Sequence, residues 1–382
     1  MIDAKQFLSA LENFGVRFFA GVPDSLLQSL CAELLKSVPA ERHIIAANEG
    51  AAIALAAGWH LATASTPCVY MQNSGLGNAV NPLVSLADPQ VYSIPMLLLI
   101  GWRGEVLHGQ QVKDEPQHAK QGLITLDLLR CLDIPYAVLG PDNANFERCA
   151  EGLLRRAASE RRPTALVIRK DTFANVTSSL ASSDYPLRRE QALELLVEAL
   201  PVETIIVATT GKLSRELYEI RLARHQTNER DFLVVGSMGH SVQIASGIAL
   251  AQPQRRVTCI DGDGAVIMHM GGLATSASIP NLMHIVINNG AHESVGGQPT
   301  QALRIDLTAI ARACGYMTAQ QANTADDIRI AIDTALDTPG SSFLEIRTTI
   351  GARPNLGRPK DSPVQSKLSF MRAIGQTQLL TE

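Results

Sequence analysis

Residues 257–290 read VTCIDGDGAVIMHMGGLATSASIPNLMHIVINNG, and the fold is decided there. Arg256 to Ile260 is a short β-branched run, the pattern of a buried strand. The turn Gly262-Asp263-Gly264 lets the backbone approach an anion while Asp263 supplies a hard oxygen. Ala265 to Ser276, rich in small and apolar residues, predicts a helix whose N-terminus points at the same place. A second apolar run, Leu282 to Ile287, predicts a returning strand that ends in Asn288-Asn289-Gly290. Two consecutive parallel strands would deliver Asp263 and Asn289, 26 positions apart, to one edge of a sheet. In open α/β sheets ligands sit at that carboxyl edge. A carboxylate, an amide oxygen and a helix start suit Mg²⁺ bridging a diphosphate, because Mg²⁺ takes oxygen ligands and keeps phosphate company.

Working outward, 382 residues are long for one core, so two domains are expected. With 46% hydrophobic and 18% charged residues the chain reads as a globular enzyme rather than a disordered segment. A net charge of -4 gives no reason to expect nucleic acid or a membrane surface as partner. No apolar run approaches the roughly 20 residues of a membrane span. The start, MIDAKQFLSALENFG, reads as an amphipathic helix with acids at Asp3 and Glu12, unlike a targeting peptide. Cysteines 31, 68, 131, 149, 259 and 314 show neither metal-ligand spacing nor a disulfide framework, so a reducing, cytoplasmic location is expected.

Strands alternate with helices along both halves, which predicts two α/β domains. In the first half, strands at 17–20, 43–47, 68–72 and 95–100 each run into a Gly-, Asn- or Asp-rich turn. A polar segment, Glu105 to Lys120, precedes a predicted helix over 123–132, and strand, helix and strand over 136–168 close the domain. The expected division is residues 1–170, a Ser/Thr/Asp/Pro-rich linker at 171–188, and a second domain over 189–382 that ends in a basic tail. The halves share their alternation but no residue-level repeat.

GDG followed by NN at this spacing resembles the thiamine diphosphate signature. With its continuation NNGAHESVGGQPT, the chain is most similar to the phosphonopyruvate decarboxylases over nearly its whole length. The resemblance implies two doubly wound parallel-sheet domains, an N-terminal one for the cofactor's pyrimidine and a C-terminal one for its diphosphate. It implies that Gly262, Asp263, Gly264 and Ala265 hold the diphosphate, and that Asp263, the side chain of Asn289 and the carbonyl of Ala291 hold Mg²⁺. Glu49 of ANEG follows a buried strand among apolar neighbours. A carboxylate there suits contact with the pyrimidine nitrogen N1′, since a dry site strengthens the sharing of a proton. Met238 of GSMGH resembles the apolar side chain that bends the cofactor, with Gly236 and Ser237 beside it and the Gly236 carbonyl accepting from the cofactor's amino group. Asn73 counts among both cofactor and substrate contacts.

On the substrate side the resemblance points to Asp24 and Ser25 of GVPDS, Asn73 and Ser74 of QNSGLGN, His118 of KDEPQH, and His292, and Lys113 is a further loop donor expected within reach of a phosphonate. Asp24 and His118 are candidates for proton relay. The segment between GWRGE and KDEPQH is longer here than the family usually has, by the stretch Val106 to Gln111. In the tail, Arg353 and Arg358 are read as a lid that brings guanidinium groups to a dianionic substrate. The expected activity is decarboxylation of 3-phosphonopyruvate to phosphonoacetaldehyde and CO₂ in a homo-oligomer with active sites between subunits. The rival is sulfopyruvate decarboxylation. A non-catalytic cofactor-binding relic has no need of Glu49, and a nucleotide-binding Rossmann enzyme lacks its G-x-G-x-x-G after the first strand.

Overall fold

The computed structural model describes residues 1–142, 145–175 and 183–376. The chain divides into two compact units: 1–179 with 294–298, and 180–293 with 299–382. Residues 176–182 of the expected linker lie outside the described residues. On its near side the chain stays with the first unit, since the Ile2 amide donates to Thr172 O at 2.7 Å and the Ala174 amide to Ile2 O at 2.9 Å.

The first unit is built on a six-stranded sheet in the spatial order His43–Ile45, Phe19–Gly21, Cys68–Gln72, Met96–Gly101, Pro163–Ile168, Tyr136–Leu139. Every neighbouring pair is parallel. Helices cover both faces, so Met96–Gly101 (MLLLIG) is buried along its whole length and reads as a continuous apolar run. Successive residues still alternate between two cores. Phe19, Tyr70, Leu97 and Leu99 face one, and Ala20, Val69, Met71 and Leu98 the other.

In the second unit six parallel strands take the order Asp231–Leu233, Ile205–Ala208, Val257–Gly262, Leu282–Asn288, Ser342–Arg347, Thr318–Ala322. Numbered within each unit, both sheets run 2-1-3-4-6-5. The duplication that has no trace in residue identity is thus present in topology. In each sheet the strand order reverses around the first strand, the switch point at which α/β sheets open a crevice beyond their carboxyl ends.

Three local expectations change. The helix predicted over 265–276 is two short pieces, Asp263–Met268 and Gly272–Ser276, broken at His269 (φ −135, ψ 47) beside the pair Gly271-Gly272. The helix predicted from 123 starts instead at Pro116, with Glu115 at the N-cap and proline at the first position. His118 therefore stands on a helix rather than in a polar loop. Two elements carry no strong apolar pattern. The strand Thr318–Ala322 (TAQQA) exists through its pairing with Ser342–Arg347, and the helix Pro363–Ala373 starts from a Ser362–Gln365 capping box.

Gly21 ends the first strand where a Cβ would meet the carbonyl oxygen of Tyr70 at 2.2 Å. Backbone cannot withdraw as a flexible side chain can. We expect Gly21→Ala to destabilise the protein by about 1–3 kcal/mol through overpacking, read as a lower denaturant midpoint with an unchanged slope. An unaltered midpoint would show that the strand shifts freely.

Candidate active site

In the first unit, each of the first four strands ends at a chemically distinctive residue. Phe19–Gly21 leads to Asp24, His43–Ile45 to Glu49, Cys68–Gln72 to Asn73, and Met96–Gly101 to Arg103. Glu49 is the first residue of the helix Glu49–Thr63, whose N-cap Asn48 accepts from the Ala51 amide. Its carboxylate is buried, 5% exposed, and its Oε2 accepts from the Asn78 side-chain amide at 2.8 Å. Gly75 makes room for it, since a Cβ there would lie 2.4 Å from Glu49 Oε1.

Asp24 is wholly buried. It caps the short turn Ser25–Leu27, with Oδ2 accepting from the Leu26 amide at 3.1 Å, while Oδ1 has no hydrogen-bond partner among the described residues. Burial pushes its carboxyl up to about 6, against the pull of the Arg103 guanidinium. Gly101 permits the close approach, because a Cβ there would sit 2.0 Å from Asp24 Oδ2.

Arg103 and Asp114 organise the rest of this half. Arg103 Nε donates to Asp114 Oδ2 at 2.7 Å, its second arm reaches Oδ1, and Nη1 donates to Ser25 Oγ at 3.0 Å. Such a fork holds a carboxylate in a fixed plane. Asp114 also accepts from the Gly104 amide at 3.0 Å and lies 3.1 Å from His118 Nδ1. Asn73 locks onto the same loop: its side chain donates to Arg103 O and Thr125 Oγ1 and accepts from the Arg103 amide. Burial holds His118 below the usual histidine range, with Asp114 opposing. Ser74 Oγ accepts from the Gln72 side chain, and Lys113 is exposed. The lengthened segment is a hairpin, Val106–Leu107 against Gln110–Gln111, turning through His108 and Gly109 at φ 49 and 79.

In the second unit the register pairs Gly262 with Ile287, so Asp263 and Asn289 follow their strands at nearly the same level. Asp263 is 4% exposed and Oδ2 accepts from the Thr300 hydroxyl. Burial pushes its carboxyl up to about 6, with Thr300 opposing. Asn289 Nδ2 donates to Glu293 Oε2 at 3.0 Å, and its Oδ1 accepts from the Ala291 amide at 3.1 Å. Asn288 turns inward instead, donating to the buried Glu345 carboxylate at 2.7 Å. Met238 and His292 come together on Gly264: a Cβ there would lie 3.2 Å from Met238 Cε and 3.0 Å from His292 Cε1. Burial lowers His292 to about 4. Ser237 next to Gly236 takes a left-handed φ of 51.

Both tail arginines lie on the second unit. Arg353 is held by Glu190 at 2.8 Å and Glu219 at 2.5 Å, so its charge is already matched, and Arg358 is exposed.

Sequence reasoning assigned no role to Arg103, Asp114, Asn78, Gly75, Thr300 or Glu293. Asp114 and His118 stand four apart across a helix start, a spacing that brings side chains together. Thr300 offered no such signal, since only the returning loop brings it to Asp263, 37 residues away.

Residues 3–126 match the thiamine pyrophosphate enzyme N-terminal TPP binding domain, and residues 209–346 the C-terminal TPP binding domain. Both halves are those of a thiamine pyrophosphate enzyme. The chain is 37% identical to the phosphonopyruvate decarboxylase of Streptomyces viridochromogenes, with 97% of this chain and 94% of the relative covered. It is also 37% identical to that of Streptomyces hygroscopicus, with 95% and 92% covered. The sulfopyruvate decarboxylase of Methanosarcina acetivorans is 26% identical, with 85% of each chain covered. The chain belongs to the phosphonopyruvate decarboxylase family of the thiamine pyrophosphate enzymes.

The residues present fit a hard divalent cation. Asp263 is a buried carboxylate bonded within the chain to a single hydroxyl and backbone amides, with only the more distant charge of Arg189 to oppose its burial. Asn289 has its NH₂ occupied, which leaves oxygen as the atom to offer. The donors are all oxygen, as Mg²⁺ requires.

The raised Asp24 carboxyl sets a pH dependence. Its folded value of about 6 exceeds the ordinary 3.8, so the neutral form favours folding below 3.8 and that advantage is lost as pH rises through 6. An asparagine escapes the loss. Between pH 4.5 and 7.5 the stability of Asp24→Asn relative to the parent should rise by about 2 kcal/mol. Urea melts of both proteins at the two pH values measure this, and a constant difference would refute it.

Proposed function

We propose that the chain decarboxylates 3-phosphonopyruvate to phosphonoacetaldehyde and CO₂, using thiamine diphosphate and Mg²⁺, as a step in phosphonate biosynthesis. Similarity to phosphonopyruvate decarboxylases over almost the whole chain carries this reading. The site supports it, since one sheet presents a buried Glu49 and the other Asp263 with Asn289. Bound thiamine diphosphate supplies the electron sink that carboxylate loss requires.

The chain's own groups have separable tasks. Glu49 would share a proton with the pyrimidine N1′ from a dry position, which would keep that contact strong. Met238 would give the cofactor apolar support, and the Gly236 carbonyl would accept from its amino group. Asp263, Asn289 Oδ1 and the Ala291 carbonyl would hold Mg²⁺, and Gly262, Gly264 and Ala265 would let the diphosphate come close. Asp24, neutral over more of the pH range than an ordinary carboxyl, can donate a proton to the product carbon. His118, oriented by Asp114, can pass one on. Ser25, Asn73, Ser74, Lys113 and His292 line the substrate side. Arg103 is forked onto Asp114 as Arg353 is held by Glu190 and Glu219. Its remaining arm reaches Ser25, however, and its charge is felt at Asp24, so it is Arg103 that stands beside the substrate-side residues and is better placed for the phosphonate.

The active enzyme is a homo-oligomer whose sites lie between subunits, one contributing Glu49 and another Asp263. We expect Glu49→Gln to lose decarboxylation while still binding cofactor, because an amide can touch N1′ but cannot share a proton with it. Mixing it with inactive Asp263→Ala protein should restore part of the activity through hybrid sites. Hybrids that exchange subunits and stay inactive would exclude the shared site.

A phosphonate brings up to two charges, and pyruvate would leave its donors unpaired. kcat/KM for phosphonopyruvate should exceed that for pyruvate by on the order of 10³, with sulfopyruvate between. Arg103→Ala should narrow the gap far more than Arg353→Ala. Steady-state kinetics on the three substrates decides, and a best rate with sulfopyruvate would establish the rival activity.

A further inference from the structure

The carboxylate of Glu293 has no role in the reading above, yet it is 4% exposed and fully engaged. Its Oε2 accepts from Asn289 Nδ2 at 3.0 Å and from Arg189 Nη1 at 2.6 Å. Its Oε1 accepts from two successive backbone amides, Gly351 at 2.9 Å and Ala352 at 2.7 Å. Arg189 forks onto Glu216 at 2.6 and 2.7 Å, and Lys212 Nζ donates to the Glu293 carbonyl at 3.2 Å. Buried Glu216 and Glu293, with Arg189, whose side chain is 10% exposed, and the half-buried Lys212, make a charge-balanced cluster, and Glu293 touches both cations, Asn289 and the backbone at 351–352.

Two consequences follow from the chemistry of a carboxylate. An ionised carboxylate only accepts hydrogen bonds, so the Asn289 amide must turn its NH₂ toward Glu293 and present its oxygen on the opposite side. The Ala291 amide, donating to Asn289 Oδ1 at 3.1 Å, favours the same orientation, but without the carboxylate the NH₂ loses its acceptor and the amide is held from one side only. The same carboxylate also fastens the start of the C-terminal segment. Glu219 then holds that segment further along, accepting from Arg353 and from the Gly357 amide at 2.6 Å, and Arg215 donates to the carbonyls of Leu356 and Gly357.

We propose that Glu293 is a positioning residue that fixes the amide orientation of Asn289 and thereby couples divalent-cation binding to the docking of the segment that starts at Gly351. This rests on the reading of Asn289 as a cation ligand. Glutamine at this position has the same shape but turns one acceptor into a donor. It must therefore face its NH₂ either toward Asn289 and Arg189 or toward the two backbone amides, and one set of contacts is lost.

The test uses the full-length protein with thiamine diphosphate present. Mg²⁺ is titrated by calorimetry, and hydrogen exchange of 351–358 is followed with and without Mg²⁺. In the parent, Mg²⁺ should bind saturably and slow exchange across 351–358. In Glu293→Gln the Kd for Mg²⁺ should rise about 10–100-fold, the loss expected when the partner of a metal ligand is removed, and exchange at 351–352 should be fast whether or not Mg²⁺ is present. Glu293→Asp, which keeps an acceptor-only group one methylene shorter, should show both changes in smaller measure and supplies the answer if the glutamine variant does not fold. Parent-like Mg²⁺ affinity in folded variants, with only a lowered melting temperature, would overturn the coupling while leaving the cation site in place. A parent that binds Mg²⁺ without protecting 351–358 would overturn it too. A parent with no Mg²⁺ binding at all would remove the cation reading and this proposal with it.

Discussion

The parallel register between Val257–Gly262 and Leu282–Asn288 is the constraint on which the second unit's chemistry depends. Six residue pairs are locked from Val257↔Leu282 to Gly262↔Ile287, and both strands are buried among neighbours on either face. A slip of one residue would turn every side chain to the opposite face of the sheet. It would also carry Asp263 away from the level of Asn289. The apolar faces thus hold the polar ends in place, with Ile260, Ile285 and Ile287 packed in one core and Val257 and Cys259 in another.

Buried charge is treated in two ways, and the difference marks out the site. Asp114 and Glu293 are surrounded by donors that keep them ionised, and both are held below the ordinary carboxylate range. Asp24 and Asp263 are buried with fewer partners, and both are pushed up to about 6. An ionised carboxylate taken out of water without matching donors costs free energy. That cost can be offset in function by a proton to be moved or by a cation to be bound. The fully matched acids act as struts, and the under-matched ones are those to which the proposed function gives a proton or a cation.

Glycine serves these acids at particular points. Gly75 and Gly101 stand where a Cβ would overlap Glu49 and Asp24, so each acid lies against bare backbone. Gly264 leaves the space into which Met238 and His292 converge. In the C-terminal segment, carboxylates on the unit's own helices hold Arg353 and the amide of Gly357. The charge of Arg353 is therefore spent on docking the segment.

Sequence alone determined much of this protein. The alternation of apolar runs with helices announced two parallel α/β sheets, and GDG with NN 26 residues later lies within the stretch that matches the C-terminal TPP binding domain. Such features are local: a strand, its turn and the residue after it are contiguous, so their chemistry is legible in order. Contacts between distant turns were not legible. The hydroxyl of Thr300 on Asp263, the grip of Arg103 on Asp114 and Ser25, and the reach of Glu293 to Gly351 join segments that only the packed fold brings together. The His118 helix and the broken helix after Asp263 were misread because capping and tertiary contact override local pattern at element ends. Residue order specified which groups stand at the strand ends. The tertiary structure decided which of them are matched by donors and which are left to act, because burial and partners are properties of the packed chain.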